Sequence, residues 1–272
     1  MSKQRPLEEI TVLATRARAD SEKLCAQLEA LGAQTLIQPG IEILPAEDPE
    51  ALHDACRAVV NGQFNWLVFS SVNGVRYALA KLKELCASSA QDVDETFTTL
   101  GVRCAAVGAK TSQALREEKI ECALEPRDFN AQALAESFLA LGESLSSARI
   151  LSFRANRGSQ TLADALRERV ARFEEVTAYR SVDATHYAPG IETALRHGRV
   201  DFTLVMSSAT GYALCKLFGD NLNKTRFLAL SEQIAHALRQ CGATVAGVAQ
   251  EATTESLIAL TVEQGKRLKR TR

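Results

Sequence analysis

Apolar positions along the chain fall into two alternating patterns, short unbroken runs and longer stretches spaced three and four apart. The runs are ITVLAT (10–15), 34–38, IEIL (41–44), Trp66 to Ser70, 102–107, RILSFR (149–154), 173–182, 200–206, 226–230 and 244–248. Continuous apolar runs of this length suit parallel strands buried on both faces. Between them the spacing predicts helices. One carries Leu24, Leu28 and Leu31 and stops at Gly32, one opens at Asp48-Pro49, and one carries Val75, Leu79 and Leu82. Asn130 caps a helix bearing Leu134, Phe138 and Leu141, and Ser159 caps one bearing Leu162 and Leu166. Further helices are expected at 190–197, 209–218, 232–240 and from Thr254. The polar stretch 87–99 reads as a loop, and the basic GKRLKRTR end as a disordered, solvated tail. Strands alternating with helices in this way indicate parallel α/β sheets.

The pattern repeats. WLVFSSVNGV (66–75) returns as LVMSSATGY (204–212), with Ser207 and Ser208 in the places of Ser70 and Ser71. Arg16 and Arg154 each leave the first strand of a repeat, at an offset of 138 close to the serine offset of 137. VGAKTSQAL at 107 matches LSEQIAHAL at 230, the shorter offset of 123 falling where the 87–99 loop has no counterpart. Two similar domains follow, each a candidate flavodoxin-like sheet, which binds ligands at the carboxyl ends of its strands. Pro39 and Pro45 bracket a strand that suits an edge or a linker better than a sheet centre.

Composition narrows the class. The chain of 272 residues, 46% hydrophobic and 24% charged, is globular and long enough for two domains. A net charge of −1 argues against a nucleic-acid or membrane surface. No apolar run reaches the length of a membrane span, and MSKQRPLEEI lacks the apolar core of a signal peptide, so a cytoplasmic location is expected. Seven scattered cysteines with no C-x-x-C spacing read as reduced core thiols, and the four histidines lack metal spacing.

The chemistry sits at the strand-to-helix turns. Ser70, Ser71, Asn73, Thr111, Ser207, Ser208, Thr210, Thr253 and Thr254 place hydroxyl and amide groups where helix N–H groups are unpaired. Each suits a helix cap; together they line sheet edges suited to a polyanion whose carboxylates are spread widely. Arg16 and Arg154 fit carboxylate binding as well as a structural role, and Tyr179 in its extended segment fits packing as well as catalysis. No P-loop, G-x-G-x-x-G, H-E-x-x-H or nucleophile elbow is present. The residues alone lead to a two-domain cleft protein with an anionic small-molecule ligand.

Taken in order, VLATR (12–16), ALGA (30–33), QPGIEILP (38–45), FNWLVFSSVNGV (64–75), VGAKTSQAL (107–115), ILSFRANRG (150–158), VTAYRSV (176–182) and VDFTLVMSSATG (200–211) resemble the uroporphyrinogen-III synthases. The resemblance implies two flavodoxin-like domains joined by a two-stranded antiparallel linker. Residues 1–38 with 183–265 form one domain and 46–173 the other, with linker strands 39–45 and 174–182 and a basic tail at 266–272. It implies a cofactor-free, monomeric lyase that dehydrates and cyclises hydroxymethylbilane with its last ring inverted, the substrate handed over by the preceding deaminase. Tyr179 matches the family's linker tyrosine, a candidate general acid. Arg16, Ser70, Ser71, Asn73, Gly108, Thr111, Arg154, Ser207 and Ser208 are the implied substrate-binding positions. The chain departs from the family at LSEQIAHAL, where Ser231 and Ile234 replace a glycine and a threonine, so no binding role is carried to that turn. A two-lobed intracellular binding protein for a small polycarboxylate is the alternative. A flavodoxin-like electron carrier is a further rival, but ATRARADSE has none of the glycines that its phosphate loop requires.

Overall fold

The computed structural model describes residues 5–87 and 92–271. In chain order it opens with β1 (Thr11–Ala14), α1 (Arg18–Ala30), β2 (Gln34–Ile37), β3 (Ile41–Pro45) and α2 (Pro49–Val60). Next come β4 (Trp66–Phe69), α3 (Val72–Ala87), α4 (Val93–Leu100), β5 (Arg103–Ala106), α5 (Ala109–Glu117), β6 (Cys122–Leu124) and α6 (Ala131–Leu139). β7 (Arg149–Ala155), α7 (Thr161–Leu166), β8 (Arg172–Asp183) and α8 (Ile191–Arg196) follow. β9 (Phe202–Val205), α9 (Ser208–Phe218), β10 (Arg226–Ala229), α10 (Glu232–Gln240), β11 (Val245–Val248) and α11 (Thr254–Thr271) complete the chain. Helix starts follow local chemistry: Asp48 and Asn130 accept from the amides of Ala51 and Ala133 at 2.9 and 2.8 Å.

The chain divides into two compact units, Met1–Glu42 with Val182–Arg272, and Ile43–Ser181. The first holds a parallel five-stranded sheet ordered β2-β1-β9-β10-β11, the 2-1-3-4-5 order of a flavodoxin-like sheet. The second sheet runs β3-β8-β7-β4-β5-β6, with β8 through β6 parallel and the proline-bordered β3 at its edge.

The sheet orders explain the sequence repeat. In space β8, β7, β4, β5 and β6 occupy the positions of β2, β1, β9, β10 and β11. The first repeat therefore supplies the first two strands of one unit and the last three of the other, and the second repeat supplies the complements. Arg16 and Arg154 sit at the ends of equivalent strands, whereas the serine pairing shifts by one: Ser207, two residues past β9, takes the place of Ser71, two residues past β4.

Both sheets are buried on two faces, as the unbroken apolar runs require. On β4, Leu67 and Phe69 enter one core while Trp66 and Val68 enter the other. On β1, Leu13 faces one core and Val12 and Ala14 the opposite one. Three expectations fail. Of the loop expected at 87–99, residues 93–100 are helical because α4 buries Val93, Thr96 and Phe97 and closes on Gly101 at φ +65°, while 88–91 lie outside the described residues. The basic end is not disordered through Thr271. It continues α11, where Gly265 is buried and Leu268 packs on the core, and its cations sit favourably at a helix C-terminus. Strand β6 has no counterpart in the sequence reading. At α7 the cap is Gln160; Ser159 accepts from the Thr161 amide instead.

Burial silences the thiols. It pushes Cys56 up to about 12 and moves Cys104 in the same direction, so neither carries appreciable thiolate near neutrality. Iodoacetamide at pH 8 should leave both unmodified in the native protein and modify them after denaturation, as read by peptide mass spectrometry. Because these values exceed the unfolded one, their contribution to stability is full below about pH 9 and lost as pH rises through about 12. Rapid native alkylation of Cys56 would contradict the packing.

Candidate active site

The best-defined polar constellation lies in the unit of Ile43–Ser181, at the carboxyl ends of β4, β7 and β8. β4 ends in Phe69, and the chain turns through Ser70 and Ser71 into α3. Ser71, rather than Ser70 or Asn73, caps this helix: its Oγ accepts from the Gly74 amide at 3.1 Å. Ser70 Oγ donates to the Phe153 carbonyl across the sheet at 3.5 Å, a long bond. Asn73 is the second residue of the helix. Gly74 permits the close approach of α3 to β7, because a Cβ there would stand 3.3 Å from the Phe153 carbonyl oxygen.

Tyr179 reaches this turn through an irregularity. β7 and β8 pair in register to Arg154 and Thr177, and then Ala155 pairs with Tyr179, leaving Ala178 as an extra residue. Such a bulge re-aims a side chain, which is why the neighbours Ala178 and Tyr179 enter the same core although a regular strand alternates between two. The phenol, only 6% exposed, brings its hydroxyl to 2.9 Å from Ser71 Oγ. Since Ser71 already accepts from Gly74, its own proton remains free for the Tyr179 oxygen. Tyr77, further along α3, stacks on the Tyr179 ring with centroids 5.9 Å apart and planes 17° apart.

Two other predicted positions lie one strand away. Gly108 precedes α5 and accepts from the Thr111 amide at 2.9 Å, and Thr111 is buried. The glycine sits close against a neighbour, since a Cβ there would stand 3.1 Å from Phe129 Cβ. Phe129 is 63% exposed, directly before the Asn130 cap. The sequence reading overlooked Gly74, Tyr77 and Phe129. The aromatic before a cap was the one visible signal.

Arg154 is committed to its own loop. Nη1 donates to Glu175 Oε1 at 2.8 Å and Nη2 to the Gly158 carbonyl at 3.0 Å, with both ionic side chains mostly buried. With its amide oxygen turned toward Arg154, Gln160 accepts from Nη1 at 2.9 Å and donates to Glu175 Oε2 at 3.2 Å. Arg154→Met should destabilise the protein by about 1–3 kcal/mol, because the Glu175 carboxylate loses its main partner. Urea denaturation of that variant and of Arg154→Met/Glu175→Gln checks this: the double variant should recover most of the loss, and equal losses would remove the pair from the account.

The remaining predicted residues belong to the other unit. Ser207 caps α9, its Oγ accepting from the Thr210 amide at 3.1 Å and donating to Thr210 Oγ1 at 2.8 Å. Ser208 is the first residue of that helix, half-buried. Arg16 is exposed and pairs at 3.4 Å with Asp20 one turn along α1. Among the described residues no group of three or more His, Cys, Asp or Glu side chains could hold a metal ion, and no helix is long and apolar enough to cross a membrane.

Known proteins share both the sequence and the fold. The family model described as uroporphyrinogen-III synthase HemD matches residues 22–259. The uroporphyrinogen-III synthase of Synechococcus elongatus is 30% identical over 220 residues, covering 80% of this chain and 78% of that protein. The Salmonella typhimurium enzyme is 29% identical over 261 residues, covering 92% and 98%. Among solved structures, a mutant uroporphyrinogen III synthase of Thermus thermophilus aligns over 95% of this chain and 99% of its own, with 21% identity and a TM-score of 0.62. The Helicobacter pylori enzyme aligns over 94% and 99%, with 15% identity and a TM-score of 0.58. With the family model matching most of its length, the chain belongs to the uroporphyrinogen-III synthase family.

Proposed function

We propose that this chain is a cyclising lyase that dehydrates hydroxymethylbilane and closes it to uroporphyrinogen III, with Tyr179 as the general acid. The observation that carries the acid role is the Tyr179 hydroxyl held at 2.9 Å on Ser71, which itself caps α3.

The substrate is a linear tetrapyrrole with eight carboxylates and a terminal hydroxymethyl group. Leaving alone, that hydroxyl would depart as hydroxide. A proton from the Tyr179 phenol lets it depart as water while the carbon becomes an azafulvene cation. Ser71 then donates to the phenolate oxygen, and the N–H groups at the start of α3 favour the negative charge. The last ring attacks through its substituted carbon, the spiro intermediate breaks and recloses, and the proton shed at the new bond restores the phenol. Water is the only other product. General acid help of this kind contributes ~10²–10⁴-fold.

Binding draws on dispersed groups rather than a single clamp. The starts of α3, α5 and α6 follow β4, β5 and β6 and offer N–H groups to carboxylates, with Ser70, Asn73, Gly108 and Thr111 beside them. The exposed ring of Phe129 beside Gly108 offers a flat apolar face to a pyrrole. Arg16, Ser207 and Ser208 lie at the corresponding strand ends of the other unit. Left to itself the bilane closes directly to isomer I, so the protein's main work is holding it in the conformation that leads through the spiro path. In this reading the enzyme is a cytoplasmic monomer, needs no cofactor, and takes its unstable substrate from the deaminase that makes it.

Bilane generated in situ, in buffer free of added metal and nucleotide, should disappear at a rate proportional to the concentration of this protein. Disappearance at the protein-free rate would reject the reading in favour of a polycarboxylate-binding protein.

A further inference from the structure

The Tyr179 side chain is gripped by α3 at two places. Ser71 takes its hydroxyl and Tyr77 takes its ring face, at 2.9 Å and at a centroid distance of 5.9 Å. A hydrogen bond to one atom leaves the ring free to tilt and swing about that atom. A near-parallel aromatic surface removes that freedom, and stacked pairs gain from offset contact beyond the area they bury. The residue before it, Arg76, has its guanidinium carbon 5.1 Å from the Tyr77 ring centroid. Cation–π contact of this sort gives the half-buried ring an additional partner on its own helix. The bulge that aims Tyr179 at α3 would be of little use without a surface to receive it.

We propose that Tyr77 is a positioning residue for the reaction: its ring fixes the orientation in which the Tyr179 hydroxyl meets the departing group. The inference rests on Tyr179 acting as the acid. Tyr77 has no proton to give in this scheme, so only its ring matters.

The test is a double-mutant cycle on the intact protein with Tyr77→Leu, Tyr77→Phe, Tyr179→Phe and Tyr77→Leu/Tyr179→Phe. Each variant is followed by turnover, KM for bilane and thermal unfolding. Tyr77→Leu should lower kcat roughly five- to tenfold with little change in KM, the scale of a stacking contact expressed as a rate. Tyr77→Phe should restore wild-type kcat, and in the Tyr179→Phe background Tyr77→Leu should cost less than twofold more. A purely structural role would lower the unfolding temperature of Tyr77→Leu and act equally in both backgrounds, which would overturn the proposal. So would wild-type kcat in Tyr77→Leu while Tyr179→Phe is slow. If Tyr179→Phe itself turns over at the wild-type rate, the acid role is wrong and the function assigned to Tyr77 falls with it.

Discussion

Tyr179→Phe should lower turnover by ~10²–10⁴-fold, the full range available to a general acid. The substitution removes one oxygen and keeps the ring, so stacking on Tyr77 and burial against the core survive. Only the bond to Ser71 is lost, and Ser71 Oγ keeps the bond it accepts from the Gly74 amide. Stability should therefore change by no more than about 1 kcal/mol, separating a chemical defect from a folding one. Ser208→Ala is the natural comparison, a hydroxyl at an equivalent turn of the other unit whose helix is capped by its neighbour Ser207. Its turnover should stay within roughly threefold of wild type if carboxylate binding is spread over many groups. Steady-state rates for the two variants decide the matter, and near-wild-type rates in both would remove the acid role.

Phe69→Ala should cost roughly 3–5 kcal/mol. Phe69 is fully buried at the end of β4, and its ring stacks on Phe153 of β7 with centroids 5.3 Å apart and planes 12° apart. Truncation opens a cavity directly beneath Ser70 and Ser71, between the two strands that carry the site. At about 2–4 °C per kcal/mol the unfolding temperature should fall by roughly 6–20 °C. The single tryptophan, Trp66, lies on the same strand and is buried, so its fluorescence reports on this unit without interference from the other. A loss below about 1 kcal/mol would mean that β4 is not packed on both faces.

Much of this architecture is legible along the chain, and the reasons are local. β4 reads as a central strand because WLVF has no polar residue to give to solvent. Asp48-Pro49 and Asn130 announce helix starts because their chemistry is confined to three or four residues. What escapes the sequence is set by distant partners. α4 buries only Val93, Thr96 and Phe97, too few large apolar side chains to stand out from a polar segment. β6 is three residues long and owes its existence to β5. The candidate site shows the same division. Ser71 and Tyr179 can be picked out by position, but their bond depends on a bulge in β8 that no local pattern reveals. Arg154 reads as an anion ligand until Glu175, 21 residues away, is seen beside it. Gly74 and Gly108 look like ordinary turn glycines. Their constraint comes from the Phe153 carbonyl and the Phe129 ring across the fold.

The repeat also gains a physical meaning from the sheet orders. Each unit is assembled from strands of both repeats, so Ser71 and Tyr179, which meet in one unit, come from different halves of the chain. Neither half alone contains the pair.

The most direct measurement is the isomer composition of the product. Hydroxymethylbilane is generated in the presence of the purified protein, the porphyrinogens are oxidised, and uroporphyrins I and III are separated by chromatography. The account predicts that isomer III dominates without added metal or nucleotide, and that isomer I rises as Tyr179→Phe slows the enzyme below spontaneous closure. Isomer I alone from the wild-type protein would contradict it.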